Sequence, residues 1–218
     1  MQGFAHALIQ NFGERLPAEA RDYAQRIIAS GQQSEVLIRD LLAYSRLSFE
    51  ELEMQPIDLD QVVAAAHDQL EADIKDSGAS VVVERPLPTV HGQSTTLVQV
   101  VANLISNAIK FVPLGRAPEI RIRAEELGQS VRLWVEDNGI GVPAGQEERI
   151  FKVFERLAEG AARPGTGIGL AIVRRGMERM GGRAGVVSKP GAGSSFWVDI
   201  PPVQDARKRP WGRKRRER

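Results

Sequence analysis

The chain has no cysteine and only three histidines among its 218 residues. Without cysteine there are no disulfides, no thiolate metal sites and no cysteine nucleophile. The only imidazoles are His6, His67 and His91. No apolar run approaches the roughly 20 residues that cross a bilayer, and the N-terminus carries no signal-peptide pattern. These absences are compatible with a cytoplasmic setting. An apolar fraction of 42% and a charged fraction of 26% are ordinary for a soluble globular protein. The length suffices for one substantial core plus a small helical appendage. The net charge of +1 conceals an asymmetry, because residues 207–218 hold eight Lys/Arg and one Glu. Residues 1–206 therefore carry 21 basic and 27 acidic groups, a net of −6. The basic stretch 204–218 is expected to be a disordered tail. A solvated terminus is its plainer reading, a nucleic-acid or anionic-membrane contact the sharper one, and no nucleic-acid partner is expected.

Phe4, Ala5, Leu8, Ile9 and Phe12 recur at helical spacing, so residues 1–15 read as a helix with no visible N-cap. Gly13 and Pro17 mark a turn, and residues 18–47 read as a second, longer helix with Tyr23, Ile27, Leu37, Leu41 and Tyr44 along one stripe. Two such helices cannot bury their apolar faces alone, which points to a bundle completed by a partner. Residues 54–59 read as an extended linker, and Asp58 as the N-cap of a helix running to Ser77 and ended by Gly78. Strands are expected at 81–83, 120–124 and 131–136, helices at 97–111 and 168–180, and a final hairpin from 184–188 and 195–200. Residues 150–157 form a short amphipathic segment, 159–164 a mobile one, and His91 falls in a loop. Helices and strands segregate without a βαβ repeat, which gives an α+β class and disfavours a doubly wound dinucleotide fold.

Three stretches carry chemistry. Asn103-Leu104-Ile105-Ser106-Asn107-Ala108-Ile109-Lys110 puts two amides and a cation on adjacent turns of one helix. Asp137-Asn138-Gly139-Ile140-Gly141 places a carboxylate at a strand end, followed by glycines that permit close backbone approach. Gly165-Thr166-Gly167-Ile168-Gly169-Leu170 runs into a helix, whose free N–H groups suit phosphate. Alone, the first also fits the wet face of an amphipathic helix, and the second a simple turn. Together they describe a pocket for a nucleoside triphosphate and its metal. Mg²⁺ takes one or two protein oxygens besides phosphate and water, as an Asn amide could supply.

In this order the stretches resemble the N box and two glycine boxes of the catalytic ATP-binding domain of sensor histidine kinases, within the Bergerat-fold ATPases. Ile150-Phe151-Lys152-Val153-Phe154-Glu155-Arg156-Leu157 is similar to the F box, and Gly191-Ala192-Gly193-Ser194-Ser195-Phe196 to the last box, with Ser195 where the family more often has Thr. The resemblance covers residues 57–201. It implies a two-layer α/β sandwich, a mixed sheet with helices on one face, preceded by an antiparallel helical hairpin. It implies ATP and Mg²⁺ as cofactors, Asn107 as metal ligand, Asn103 and Lys110 as catalytic residues near the phosphates, and Asp137 on the adenine amine. Gly139, Gly141, Gly165, Thr166, Gly167, Gly169, Leu170 and Ser195 complete the implied ATP-binding set, and residues 155–165 the ATP lid. Relatives that hydrolyse ATP carry Glu where Asn103 stands; an amide cannot take a proton from water, which favours a kinase.

The resemblance divides the chain into a partial dimerisation hairpin (1–53), a catalytic domain (54–203) and the tail (204–218). It also implies a homodimer through the hairpin and a response-regulator receiver domain as partner. Its acceptor box, His-Glu/Asp-x-Arg-x-Pro, is missing: no acid or proline follows His6, and His67-Asp68 lacks the Arg and Pro. Met1-Gln2-Gly3-Phe4-Ala5 looks like the segment that follows that box, and Leu41-Leu42-Ala43-Tyr44-Ser45-Arg46 matches the end of the second dimerisation helix. The expectation is an acceptor upstream of Met1, and a chain that cannot autophosphorylate by itself.

Overall fold

The computed structural model describes residues 2–49, 51–157, 163 and 165–203. The first two helices, α1 (Gln2–Phe12) and α2 (Ala18–Phe49), form an antiparallel hairpin. Gly13 ends α1, its N–H bonded to the Ile9 carbonyl at 2.9 Å, and the Arg21 guanidinium donates to the Gly13 carbonyl at 2.6 Å. Only Ala5 of α1 and Ala24 and Leu47 of α2 are buried. Phe4, Tyr23, Ile27, Leu37 and Leu41 remain exposed, whereas Tyr44, the last residue of the expected stripe, is half-buried beside Leu47.

The stretch expected as a linker is a strand, β1 (Gln55–Asp58), paired antiparallel with a second strand, Thr89–Gly92, where a loop is expected around His91. Pro56 offers no N–H, which an edge strand tolerates. Asp58 caps α3 (Leu59–Gln69) as expected, accepting from the Asp60 N–H at 2.8 Å. The helix does not continue unbroken to Ser77. It stops at Leu70 and resumes as α4 (Glu71–Ser77), ending on left-handed Gly78 at φ 64°. Leu59, Val62, Val63 and Ala66 anchor α3 in the core, whereas α4 buries nothing.

The main sheet orders its strands β2 (Ser80–Val83), β4 (Glu119–Glu126), β5 (Val131–Asp137), β7 (Ser194–Ile200) and β6 (Arg183–Ser188), with β3 being Thr89–Gly92. Only the β2–β4 pair is parallel. Helices α5 (Ser94–Lys110) and α6 (Gly169–Arg179) lie with α3 on one face, giving the expected two-layer α+β architecture. Leu97, Val100, Val101, Leu104 and Ile105 of α5 recur at helical spacing and pack on Ile120, Ile122, Leu133 and Val135, which alternate along β4 and β5. Of residues 150–157, expected as a short amphipathic segment, only the first two are helical, as the end of the 3₁₀ turn Arg149–Phe151.

The opposite sheet face is tiled with charge and indole. The Arg132 guanidinium lies 4.1 Å from the Trp197 ring and 5.4 Å from Trp134, and binds both carboxylate oxygens of buried Asp199 at 2.6 and 2.9 Å. No described helix is long and apolar enough to cross a membrane. The basic tail (204–218) and all of 159–164 except Arg163 lie outside the described residues.

Candidate functional site

Because the apolar stripe of α5 faces the sheet, its polar stripe is turned away from it. Asn103, Ser106, Asn107 and Lys110 line a cavity of about 430 Å³ bounded by the end of β5 and the chain entering α6. Asp137, Gly141, Gly165, Thr166, Gly167, Gly169 and Leu170 line it too. Two other candidates do not. Gly139 lies beside the cavity, its N–H donating to Asp137 Oδ1 at 2.8 Å; a Cβ there would stand 2.6 Å from that oxygen and 2.7 Å from the Phe111 carbonyl. Ser195, expected in the ATP-binding set, is turned from the cavity: strand alternation puts its side chain on the sheet face away from the helices, and buried Ser194 lines the cavity instead.

Asp137 is the last residue of β5 and pairs with Ser194 across the β5–β7 ladder. Its Oδ1 accepts from the N–H groups of Gly139 at 2.8 Å and Ser194 at 3.1 Å. Burial pushes its pKa up to about 6, opposed by those two hydrogen bonds. Oδ2 makes no hydrogen bond within the described residues and is left to the cavity. Beyond it, Gly141 sits at φ 76°, where a Cβ would run into the Lys189 carbonyl. Ile140, Val142 and Phe196 give this end of the cavity an apolar wall.

At the other end, Gly167 at φ 75° turns the chain into α6. The helix cap, Ile168, offers no side-chain hydrogen bond, so the first N–H groups of α6 keep their capacity for an anion. Gly169 approaches α5 so closely that a Cβ would lie 2.9 Å from Asn103 Oδ1. The Asn103 amide nitrogen donates to the Gln99 carbonyl at 2.9 Å. Neither the Asn107 amide nor the Lys110 ammonium has a side-chain partner within the described residues. Those residues include no group of three or more His, Cys, Asp or Glu able to hold a metal.

Sequence reading missed one wall entirely. Val36, Arg39 and Asp40 of α2 line the cavity, and Thr166 Oγ1 donates to Asp40 Oδ2 at 2.5 Å. None of His6, His67 and His91 reaches the cavity; His91 lies in β3 and His67 in α3, 3.8 Å from Asp68.

A helix-borne amide pair, a strand-end aspartate and a glycine loop at a helix N-terminus, set on a two-layer mixed sheet, define the class of Bergerat-type ATP-binding domains. Residues 92–204 match the family described as histidine kinase-, DNA gyrase B-, and HSP90-like ATPase, and the chain belongs to it. It is 36% identical over 211 residues to cyanobacterial phytochrome A of Nostoc sp., covering 97% of this chain and 27% of that protein. It is 31% identical over 210 residues to the sensor-like histidine kinase SenX3 of Mycolicibacterium smegmatis, covering 94% of this chain and 54% of that one. The fold superposes on ShkA, solved full-length in complex with AMPPNP, with a TM-score of 0.70 and 30% identity over 92% of this chain and 42% of ShkA. The chain thus spans between about a quarter and about half the length of these proteins.

Proposed function

We propose that this chain is the ATP-binding core of a sensor histidine kinase, with residues 1–53 as part of its dimerisation hairpin and 54–203 as its catalytic domain. It binds Mg–ATP and passes the γ-phosphate to a histidine, for onward transfer to an aspartate of a response-regulator receiver domain. The observation that carries this reading is the convergence of Asn103, Asn107, Lys110, Asp137 and the glycine loop on one cavity, with an amide at position 103. Asp137 Oδ2 is the acceptor for the adenine amine. Lys110 supplies a point charge to phosphate, and the N-terminus of α6 its free N–H groups. The unengaged Asn107 amide fits a single protein oxygen for Mg²⁺, which when bound neutralises phosphate charge. Absence of a carboxylate at position 103 leaves no base there for water, and so favours transfer over hydrolysis. In the transfer step a neutral imidazole nitrogen bonds to the γ-phosphorus as the bond to the ADP oxygen breaks. The exposed stripe on α1 and α2 suits a second copy of the hairpin.

The test supplies a separate protein bearing an intact hairpin and its acceptor histidine, with γ-labelled ATP. Label on that histidine is expected. An unlabelled acceptor despite normal nucleotide binding would overturn the proposal, and steady phosphate release abolished by Asn103→Ala would indicate an ATPase instead.

A further inference from the structure

We propose that α2 is a working wall of the nucleotide site, and that Asp40 sets its affinity by holding Thr166 in place of a phosphate. The inference rests on the nucleotide-binding reading above. Thr166 and Asp40 are 126 residues apart in sequence, yet their side chains meet at 2.5 Å on the cavity rim. Thr166 Oγ1 also accepts from the Ile168 N–H at 3.3 Å, which places Asp40 one hydroxyl away from the first turn of α6. A carboxylate there has the charge and acceptor oxygens of a phosphate, and occupies ground that suits an anion.

The contact is part of a continuous docking of α2 on α6. Below it, Leu47 is buried against Ile168 and Ile172, with Ala43, Tyr44 and Val153 around them. Lower still, the Arg179 guanidinium donates to the Leu47 carbonyl at 2.9 Å and the Ser48 carbonyl at 2.6 Å, closing the C-terminal end of α2. Apolar packing and the carbonyl clasp hold the last two turns of α2 without reference to nucleotide. Of α2, only Val36, Arg39 and Asp40 face the cavity. Arg39 presents a cation on the same wall, so the wall as a whole is not repulsive; Asp40 is the member bonded to the glycine loop.

An incoming phosphate and Asp40 therefore compete for Thr166 and for the same positive helix end. Nucleotide binding releases Val36–Asp40 of α2 from the loop, and α2 docking lowers nucleotide affinity; the linkage is reciprocal.

The experiment uses the full chain, Mg–AMPPNP titrated by calorimetry, and amide exchange across α2 and α6. Asp40→Ala is expected to tighten binding about tenfold, the size of one charge-assisted hydrogen bond. Asp40→Asn, which keeps an acceptor for Thr166 but not the charge, is expected to fall between. In the unsubstituted chain, nucleotide should speed exchange across Val36–Asp40 and leave the Leu47 region protected. Unchanged or weaker binding in both variants, or exchange at 36–40 slowed by nucleotide, would overturn the proposal and make α2 a supporting wall. Failure of the unsubstituted chain to bind Mg–AMPPNP would instead overturn the nucleotide-binding reading itself.

Discussion

Replacing Asp137 by asparagine should make the chain more stable at neutral pH and nearly unable to bind ATP, two effects of opposite sign from one atom. The carboxylate is pushed up to about 6 by burial, from an ordinary value of 3.8. A folded value above the unfolded one means that stability is fully present below the ordinary carboxylate range and is lost as pH rises through about 6. Raising the carboxyl from 3.8 to about 6 corresponds to about 3 kcal/mol, which solvent access trims to about 1–2 kcal/mol. An amide never ionises, so Asp137→Asn should gain that amount at pH 7.5 and lose its advantage as pH falls toward 4. Binding responds to orientation. Oδ1 accepts two backbone N–H groups, so the amide oxygen of the variant must stand there and its NH₂ must replace Oδ2. A donor then meets the adenine amine, itself a donor, at a loss of about 3 kcal/mol or roughly 100-fold in affinity. Urea unfolding at pH 7.5 and 5, with ATP calorimetry, reads both effects. Affinity retained within about twofold, or a variant less stable at pH 7.5, would refute the reasoning.

Asn107→Ala should leave residual ATP binding that no longer depends on Mg²⁺; titrations with and without chelator should then coincide. Arg132→Ala strips the bidentate partner from buried Asp199 and should cost about 3 kcal/mol in urea unfolding. Nucleotide affinity should survive that change, because the pair lies on the far face of the sheet. Leu104→Ala, at a core position only 1% exposed, should cost about 2–5 kcal/mol. Gly141→Ala forces a side chain into a left-handed position against the Lys189 carbonyl, and both the unfolding midpoint and ATP affinity should fall.

Much of the cavity was legible because its parts are encoded over a few residues each. The apolar period of α5 alone turns Asn103, Asn107 and Lys110 away from the sheet, and a strand ending at a glycine turn delivers Asp137. The Asp58 cap was readable for the same reason. Ser194 could have been found by counting: it shares a sheet face with Phe196, whose burial the alternation of β7 implies. The β1–β3 pair was not readable, since Gln55 and Gly92 join two short strands that carry little periodicity of their own.

The sequence alone determined the chemical inventory: an amide rather than an acid at position 103, one strand-end carboxylate, and a glycine loop leading into a helix. Only the tertiary structure decided that this cavity has a fourth wall. Nothing near Asp40 in the chain marks it as a cavity residue; it becomes one because Leu47 finds its burial on α6, which swings the helix across the glycine loop. Local periodicity sets which way a side chain points along its own element. The packing of distant apolar surfaces sets what it points at.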